Sequence, residues 1–188
     1  MTSIGVRSRA TFDYANFDPA AIHLEDIIFP LSTEQRYANQ LPGGKTWTVF
    51  QHSCLVEGLC SMGCWREALL HDATEAYMRD LPTPLKQLLP DYQRIERELD
   101  LVIRKKFNLP EEMSKEVKQA DRWALKIEAA MFWKDPNTGR LDAIWEPALG
   151  SNFVSNPQLT ELEKYSFSVA AEASPAKILS FLKSQSPL

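Results

Sequence analysis

His71-Asp72-Ala73-Thr74-Glu75-Ala76-Tyr77-Met78-Arg79-Asp80, followed at once by Leu81-Pro82-Thr83-Pro84-Leu85-Lys86, is the stretch on which the reading of this chain turns. Trp65, Leu69, Leu70, Ala73, Ala76 and Tyr77 recur at helical spacing, so the pattern predicts a helix that the Leu81 to Pro84 run closes. On such a helix His71, Asp72 and Glu75 fall within about one turn of each other. One imidazole and three carboxylates in under three turns is the inventory of a divalent-metal site that supports hydrolysis. Packing alone gives no reason for it.

Working backwards, Thr46 or Thr48 can cap a preceding helix running to about Met62, with Gly63 ending it in a left-handed conformation. The chain has three histidines, and His52 and His71 fall on these two helices. Antiparallel helices joined by a short turn pack side by side, so both imidazoles can face one pocket. Asp72 adds a hard oxygen ligand, and Asp121, in Lys118-Gln119-Ala120-Asp121, offers a second carboxylate. Two imidazoles and two carboxylates suit a divalent ion such as zinc, manganese, iron, cobalt or nickel, with magnesium also admitted. Such an ion polarises a phosphoryl oxygen and lowers the pKa of bound water, from about 15.7 to about 7 in the best-known zinc case. Glu75, one turn beyond His71, is placed to orient or deprotonate that water, and Asp80 can do the same or hold a substrate hydroxyl.

The remaining chain reads as helices and loops. Residues 1–23 form an irregular, turn-rich lead-in, and 24–37 short helical pieces interrupted at Pro30. Helices are expected over about 84–89, 91–107 and 111–134, then a turn at Asp135-Pro136-Asn137-Thr138-Gly139. A helix over about 159–171 and another from Pro175 to about Lys183 complete the pattern. No alternating run is strong enough to build a sheet. The expected fold is therefore all-α and a single domain over 1–188, with its core at about 24–134 and an extension over 135–188.

Composition narrows the function. A net charge of −4 gives no broad attraction to duplex nucleic acid, and Arg104-Lys105-Lys106 reads as a solvated helix end. No window approaches a membrane span and the N-terminus has no apolar leader, so a cytoplasmic protein without membrane association is expected. Cys54, Cys60 and Cys64 read as buried, inert thiols, with Cys60 and Cys64 one turn apart on an apolar helical face. Gly44-Lys45-Thr46 looks like the end of a phosphate-binding loop but lacks its first glycine, where Asn39 stands.

Gln51-His52-Ser53, then His71-Asp72, Glu75 and Asp80, then Lys118-Gln119-Ala120-Asp121 resemble the H…HD…D signature of the HD-domain metal-dependent phosphohydrolases. The run from His71 to Lys86 is especially similar to that of the HD-type 5′-deoxynucleotidases, and a related group comprises small deoxynucleoside triphosphate hydrolases, including phage enzymes acting on dATP. The similarity spans roughly Leu24 to Ile127. The resemblance implies an HD-type helical bundle in which His52, His71, Asp72 and Asp121 bind the metal while Glu75 and Asp80 position the attacking water. It also implies that Arg36 grips phosphate, that Tyr37 packs near the sugar, and that Pro84 and Lys86 line the pocket. The implied reaction is hydrolysis of a deoxynucleotide, dNMP to deoxynucleoside and phosphate. Release of triphosphate from a dNTP is the alternative, and a non-catalytic nucleotide-binding scaffold is a further one. A homo-oligomer is the expected assembly. Two departures are evident: the deoxynucleotidases usually carry Trp where this chain has Tyr37, and the interval from His52 to His71 is shorter than theirs. After Trp133 the resemblance stops.

Overall fold

The computed structural model describes residues 1–135, 137, 138, 140–142, 145 and 174–184, leaving aside the side chains of 181 and 182. The described residues are mostly helical. Eight helices are α1 (Leu24–Leu31), α2 (Val49–Gly58), α3 (Trp65–Leu70), α4 (Glu75–Met78), α5 (Thr83–Lys86), α6 (Pro90–Lys106), α7 (Lys115–Trp133) and α8 (Pro175–Ser184). The helix expected over 159–171 lies outside the described residues.

The lead-in departs from the sequence reading. Strands β1 (Ser3–Gly5) and β2 (Thr11–Asp13) pair antiparallel, with Ile4 opposite Phe12. Three-residue strands are too short to show alternation, which is why no sheet was expected. Asp26 on α1 ties the hairpin down, accepting from Ser8 N at 2.7 Å and Ser8 Oγ at 2.6 Å. Phe12, fully buried, then stacks on Tyr77 with 4.2 Å between ring centroids, so the lead-in contributes to the core.

Helix α1 buries Leu24, Ile27, Ile28 and Leu31, an i, i+3, i+4, i+7 stripe. Pro30 does not interrupt it: the helix runs on to Leu31 and Ser32 N donates to Ile28 O at 3.2 Å beyond it. Helix α2 ends at Gly58, short of the expected Met62, and Gly63 is not left-handed; among described glycines only Gly43 and Gly44 are. Helix α7 starts at Lys115 rather than Glu111, since the Ser114 hydroxyl caps it by accepting from Val117 N at 3.3 Å.

Two apolar clusters form the interior. The first joins Phe12 and Ile22 to α1, Phe50, Leu70, Leu99 and Ile103, and the second joins Trp47 to Leu55, Val56, Ala68 and the buried face of α7. Helices α2 and α3 contribute to both. Helix α2 is accordingly buried all round, from Val49 and Phe50 through His52 to Val56. A histidine there sits between two apolar masses, where an unpaired polar nitrogen is costly. Helix α8 packs Ile178 and Leu179 against the first cluster, and Lys183 pairs with Glu25 at 2.9 Å.

Away from the site, Glu67 and Arg104 form a buried clamp. The Arg104 guanidinium donates to Asp100 Oδ2 at 2.7 Å, Pro110 O at 3.0 Å and Glu67 Oε1 at 3.5 Å, and that Glu67 oxygen also accepts from Ser114 N at 2.7 Å. It joins α3, the end of α6 and the start of α7. The thiols differ in part from expectation: Cys54 is buried, but Cys60 and Cys64 are only half-buried and lie outside any helix. Burial pushes the Cys54 and Cys60 thiols up, to about 12 and about 11, which keeps them unreactive.

Candidate metal centre

Thr48 and Gln51 form a reciprocal capping box at the start of α2: Thr48 Oγ1 accepts from Gln51 N at 3.2 Å, and Gln51 Oε1 accepts from Thr48 N at 2.9 Å. The cap fixes where the helix begins, and hence the position of His52 in its first turn. His71 and Asp72 lie not on one continuous helix, as expected, but in the turn between α3 and α4. There Ala73, Glu75, Ala76 and Tyr77 each donate to the carbonyl three residues back rather than four. His71 takes part in the break, because its Nδ1 donates to the Ala68 carbonyl at 2.7 Å.

A carbonyl only accepts, so His71 Nδ1 carries hydrogen and the neutral ring presents a bare Nε2. His52 is arranged alike: Nδ1 donates to Glu128 Oε1 at 2.6 Å. Both Nε2 atoms are buried without a hydrogen-bond partner. Asp72 Oδ2 lies 3.1 Å from His71 Nε2 and 3.7 Å from His52 Nε2, and ligand atoms of these three residues all fall within 4.8 Å of one another. Two orphaned imidazole nitrogens facing one carboxylate fit a divalent cation, the partner that would satisfy all three.

Asp121 stands beside this group rather than within it. Its Oδ1 is 3.1 Å from His52 Nε2, while its side chain is 40% exposed. Asp72 also lies 3.6 Å from Arg36 Nη1. Burial opposes its charge, but His71, His52 and Arg36 prevail and hold the carboxyl well below the usual range. Burial and Arg36 disfavour a charged His52, yet Glu128 and Asp121 outweigh them and raise the imidazole to about 9, so without an ion Nε2 holds a proton beside Asp121 that a bound cation would displace.

Glu75 is buried with Oε2 unpartnered. Burial, then Asp72 and Asp80, raise its carboxyl well above the ordinary value, with Arg36 and Lys86 opposing. Asp80 is raised too, by burial and by Asp72. Lys86 belongs to the same electrostatic neighbourhood, its ammonium held 2.8 Å from Glu96 Oε1. Pro84 lies exposed on α5.

Sequence reading missed Glu128. This wholly buried carboxylate accepts from four side chains: Oε1 from His52 Nδ1 at 2.6 Å and Trp47 Nε1 at 2.8 Å, and Oε2 from Arg36 Nε at 3.3 Å and the Tyr37 hydroxyl. Arg36 and Tyr37 therefore meet the site by pairing with Glu128. Arg36, burial opposing, and His52 hold Glu128 down at about 2. A signal existed: Glu128 is seven residues beyond Asp121, two helical turns along one face, and interrupts the apolar run of Ala124, Ile127 and Ala130. Glu34 was also missed. No periodicity marks a buried acid in a loop.

The fold and site define a mostly helical protein with a buried His-His-Asp cluster able to hold a metal ion. No protein-family model matches the chain. It is 41% identical over 140 residues to the uncharacterized protein YfdR of Escherichia coli K12, covering 71% of this chain and 78% of that protein. It belongs to the YfdR family. An uncharacterized protein of Rhodobacter capsulatus is 31% identical over 121 residues, 60% of this chain and 62% of the relative. Among the described residues no helix is long and apolar enough to cross a membrane.

Proposed function

We propose that this chain is a metal-dependent phosphohydrolase with an HD-type helical bundle, acting on a deoxynucleotide. The observation that carries the reading is the pair of buried, unpartnered Nε2 atoms of His52 and His71 facing Asp72. The HD-type arrangement is supported by their placement: His52 on a central helix, His71 and Asp72 at the next break, and Asp121 on α7 in contact with His52.

His52, His71 and Asp72 would hold the ion, with Asp121 completing the set. The bound ion supplies Lewis acidity towards a phosphoryl oxygen and towards water. Glu75, whose carboxyl burial and its acidic neighbours raise well above the ordinary value, would donate to or accept from the attacking water or the leaving oxygen. Asp80 flanks it. Arg36 has its Nε bonded to Glu128 and its Nη1 3.6 Å from Asp72, which places a planar cation beside the proposed ion where it could meet a phosphate oxygen. Lys86 adds a second cation to the neighbourhood of Asp72 and Glu75 that a phosphate oxygen could meet. The substrate class, a deoxynucleotide monophosphate with the triphosphate as alternative, rests on the sequence resemblance.

Incubation of the purified chain with cobalt, manganese or zinc and a panel of dNMPs and dNTPs, with products separated by chromatography, tests this. Phosphate from a dNMP, or triphosphate from a dNTP, is expected above an Asp72→Ala control. No release from any pair of metal and nucleotide sinks the proposal.

A further inference from the structure

Three of the four donors on Glu128 come from two functional groupings, and the fourth, Trp47, belongs to the second apolar cluster. His52 belongs to the proposed ion site, whereas Arg36 and Tyr37 belong to the loop proposed to meet the substrate. A carboxylate has about four lone-pair sites, and here each faces a donor. Full satisfaction leaves it no freedom to turn.

We infer that Glu128 is a positioning residue that sets the His52 tautomer and, through its other oxygen, locks the Arg36-Tyr37 loop in register with the ion site. This rests on the proposed ion site but adds to it a residue outside the ligand set. The tautomer follows from chemistry: a carboxylate beside Nδ1 holds hydrogen there, leaves the Nε2 lone pair for a ligand and raises its basicity.

The loop supplies the independent observation. Tyr37, Ala38 and Asn39 all have left-handed backbones, with φ of 57°, 50° and 58°. Single residues visit this region at some cost, and three non-glycine residues in succession hold it only where surrounding contacts over-determine them. Those contacts include the Arg36 N–H to the Trp47 carbonyl at 2.9 Å and the two side-chain bonds into Glu128 Oε2, beside the Tyr37 ring packed edge-on against Trp133 at 4.8 Å.

Cobalt titration of the full chain, followed by ligand-field absorption, tests the inference. Glu128→Gln keeps the shape, removes the charge behind His52 and sets an amide donor against Arg36 and Tyr37. It is expected to weaken cobalt binding about tenfold to a hundredfold. Leu99→Ala, a buried truncation in the first cluster, is the control for instability alone: it should lower the melting temperature and leave cobalt affinity within about twofold. Wild-type affinity in Glu128→Gln, or an equal loss in Leu99→Ala, overturns the inference while leaving the ion site standing. Failure of the wild-type chain to bind any divalent ion overturns both. Should Glu128→Gln not fold, nitrogen NMR of the zinc-loaded wild-type protein decides: His52 protonated on Nδ1 and bound through Nε2 supports the inference, and the reverse overturns it.

Discussion

Glu34 holds Asp80 across 46 residues of sequence: its Oε1 accepts the Asp80 N–H at 3.2 Å, while its Oε2 pairs with Arg79 at 2.9 Å. Arg79 itself sits at φ 74°, ψ 154°, a region open almost only to glycine. The strained joint ends α4 and turns the chain so that Asp80 lies near Asp72. Removing the buried carboxylate frees the joint. Glu34→Ala should destabilise the protein by about 1–3 kcal/mol in urea unfolding. It should also lower kcat of any hydrolysis found while leaving cobalt affinity near wild type. Equal losses in both would assign Glu34 to the ion site rather than to Asp80.

Asp72 Oδ2 lies 3.7 Å from His52 Nε2 and 3.1 Å from His71 Nε2, so it faces both histidines. Asp72→Ala and His71→Ala are each expected to abolish stoichiometric zinc, measured by elemental analysis after dialysis, and to reduce hydrolysis to background. The fold should survive, because both residues lie in a turn. Retention of stoichiometric zinc by either variant would place the ion elsewhere.

Glu75 gives a pH dependence with a definite sign. Its folded carboxyl is raised above the ordinary 4.5, by burial first and then by Asp72 and Asp80, so the unfolded chain releases this proton before the folded one. The stability it contributes is complete below pH 4.5 and is lost as pH rises towards the folded value. Glutamine mimics the protonated form. Metal-free Glu75→Gln should therefore match wild type near pH 4 and become progressively more stable than wild type above it; loaded with metal, the same variant should lose the hydrolytic activity of wild type. Chemical denaturation at several pH values reads this directly, and a difference that shrinks as pH rises would contradict it.

The clamp between Glu67 and Arg104 predicts a purely structural effect. Both side chains are buried, so deleting Glu67 removes one of the two carboxylates on Arg104, which keeps Asp100, and leaves the Ser114 N–H without its acceptor. Glu67→Ala should cost about 1–3 kcal/mol in denaturant unfolding. Replacing both with apolar residues should recover much of the loss, as a double-mutant cycle will show. Cobalt affinity should not change.

Much of the helical layout was legible because apolar residues recur at helical spacing and because a cap such as Thr48 carries its own side-chain signature, whereas the Ser114 cap was passed over. The metal-ligating types were legible as well: two of the three histidines and the His71-Asp72 pair stand out in an otherwise ordinary soluble composition. What misled was continuity. Apolar periodicity runs unbroken from Trp65 to Tyr77, yet the His71 side chain reaches Ala68 O and the segment tightens into three-residue bonds, a competition between side chain and backbone that no periodicity reports.

Local chemistry written along the chain thus determined the helices, their caps and the kinds of atom available to a cation. Only the tertiary structure decided which nitrogen of each imidazole faces Asp72, that Asp121 flanks the cluster instead of entering it, and that Glu128 and Glu34 take part. The reason is physical: a lone acid within an apolar stripe or a loop reads as a solvated charge until its donors arrive. For Glu128 those donors come from positions 76 to 92 residues away.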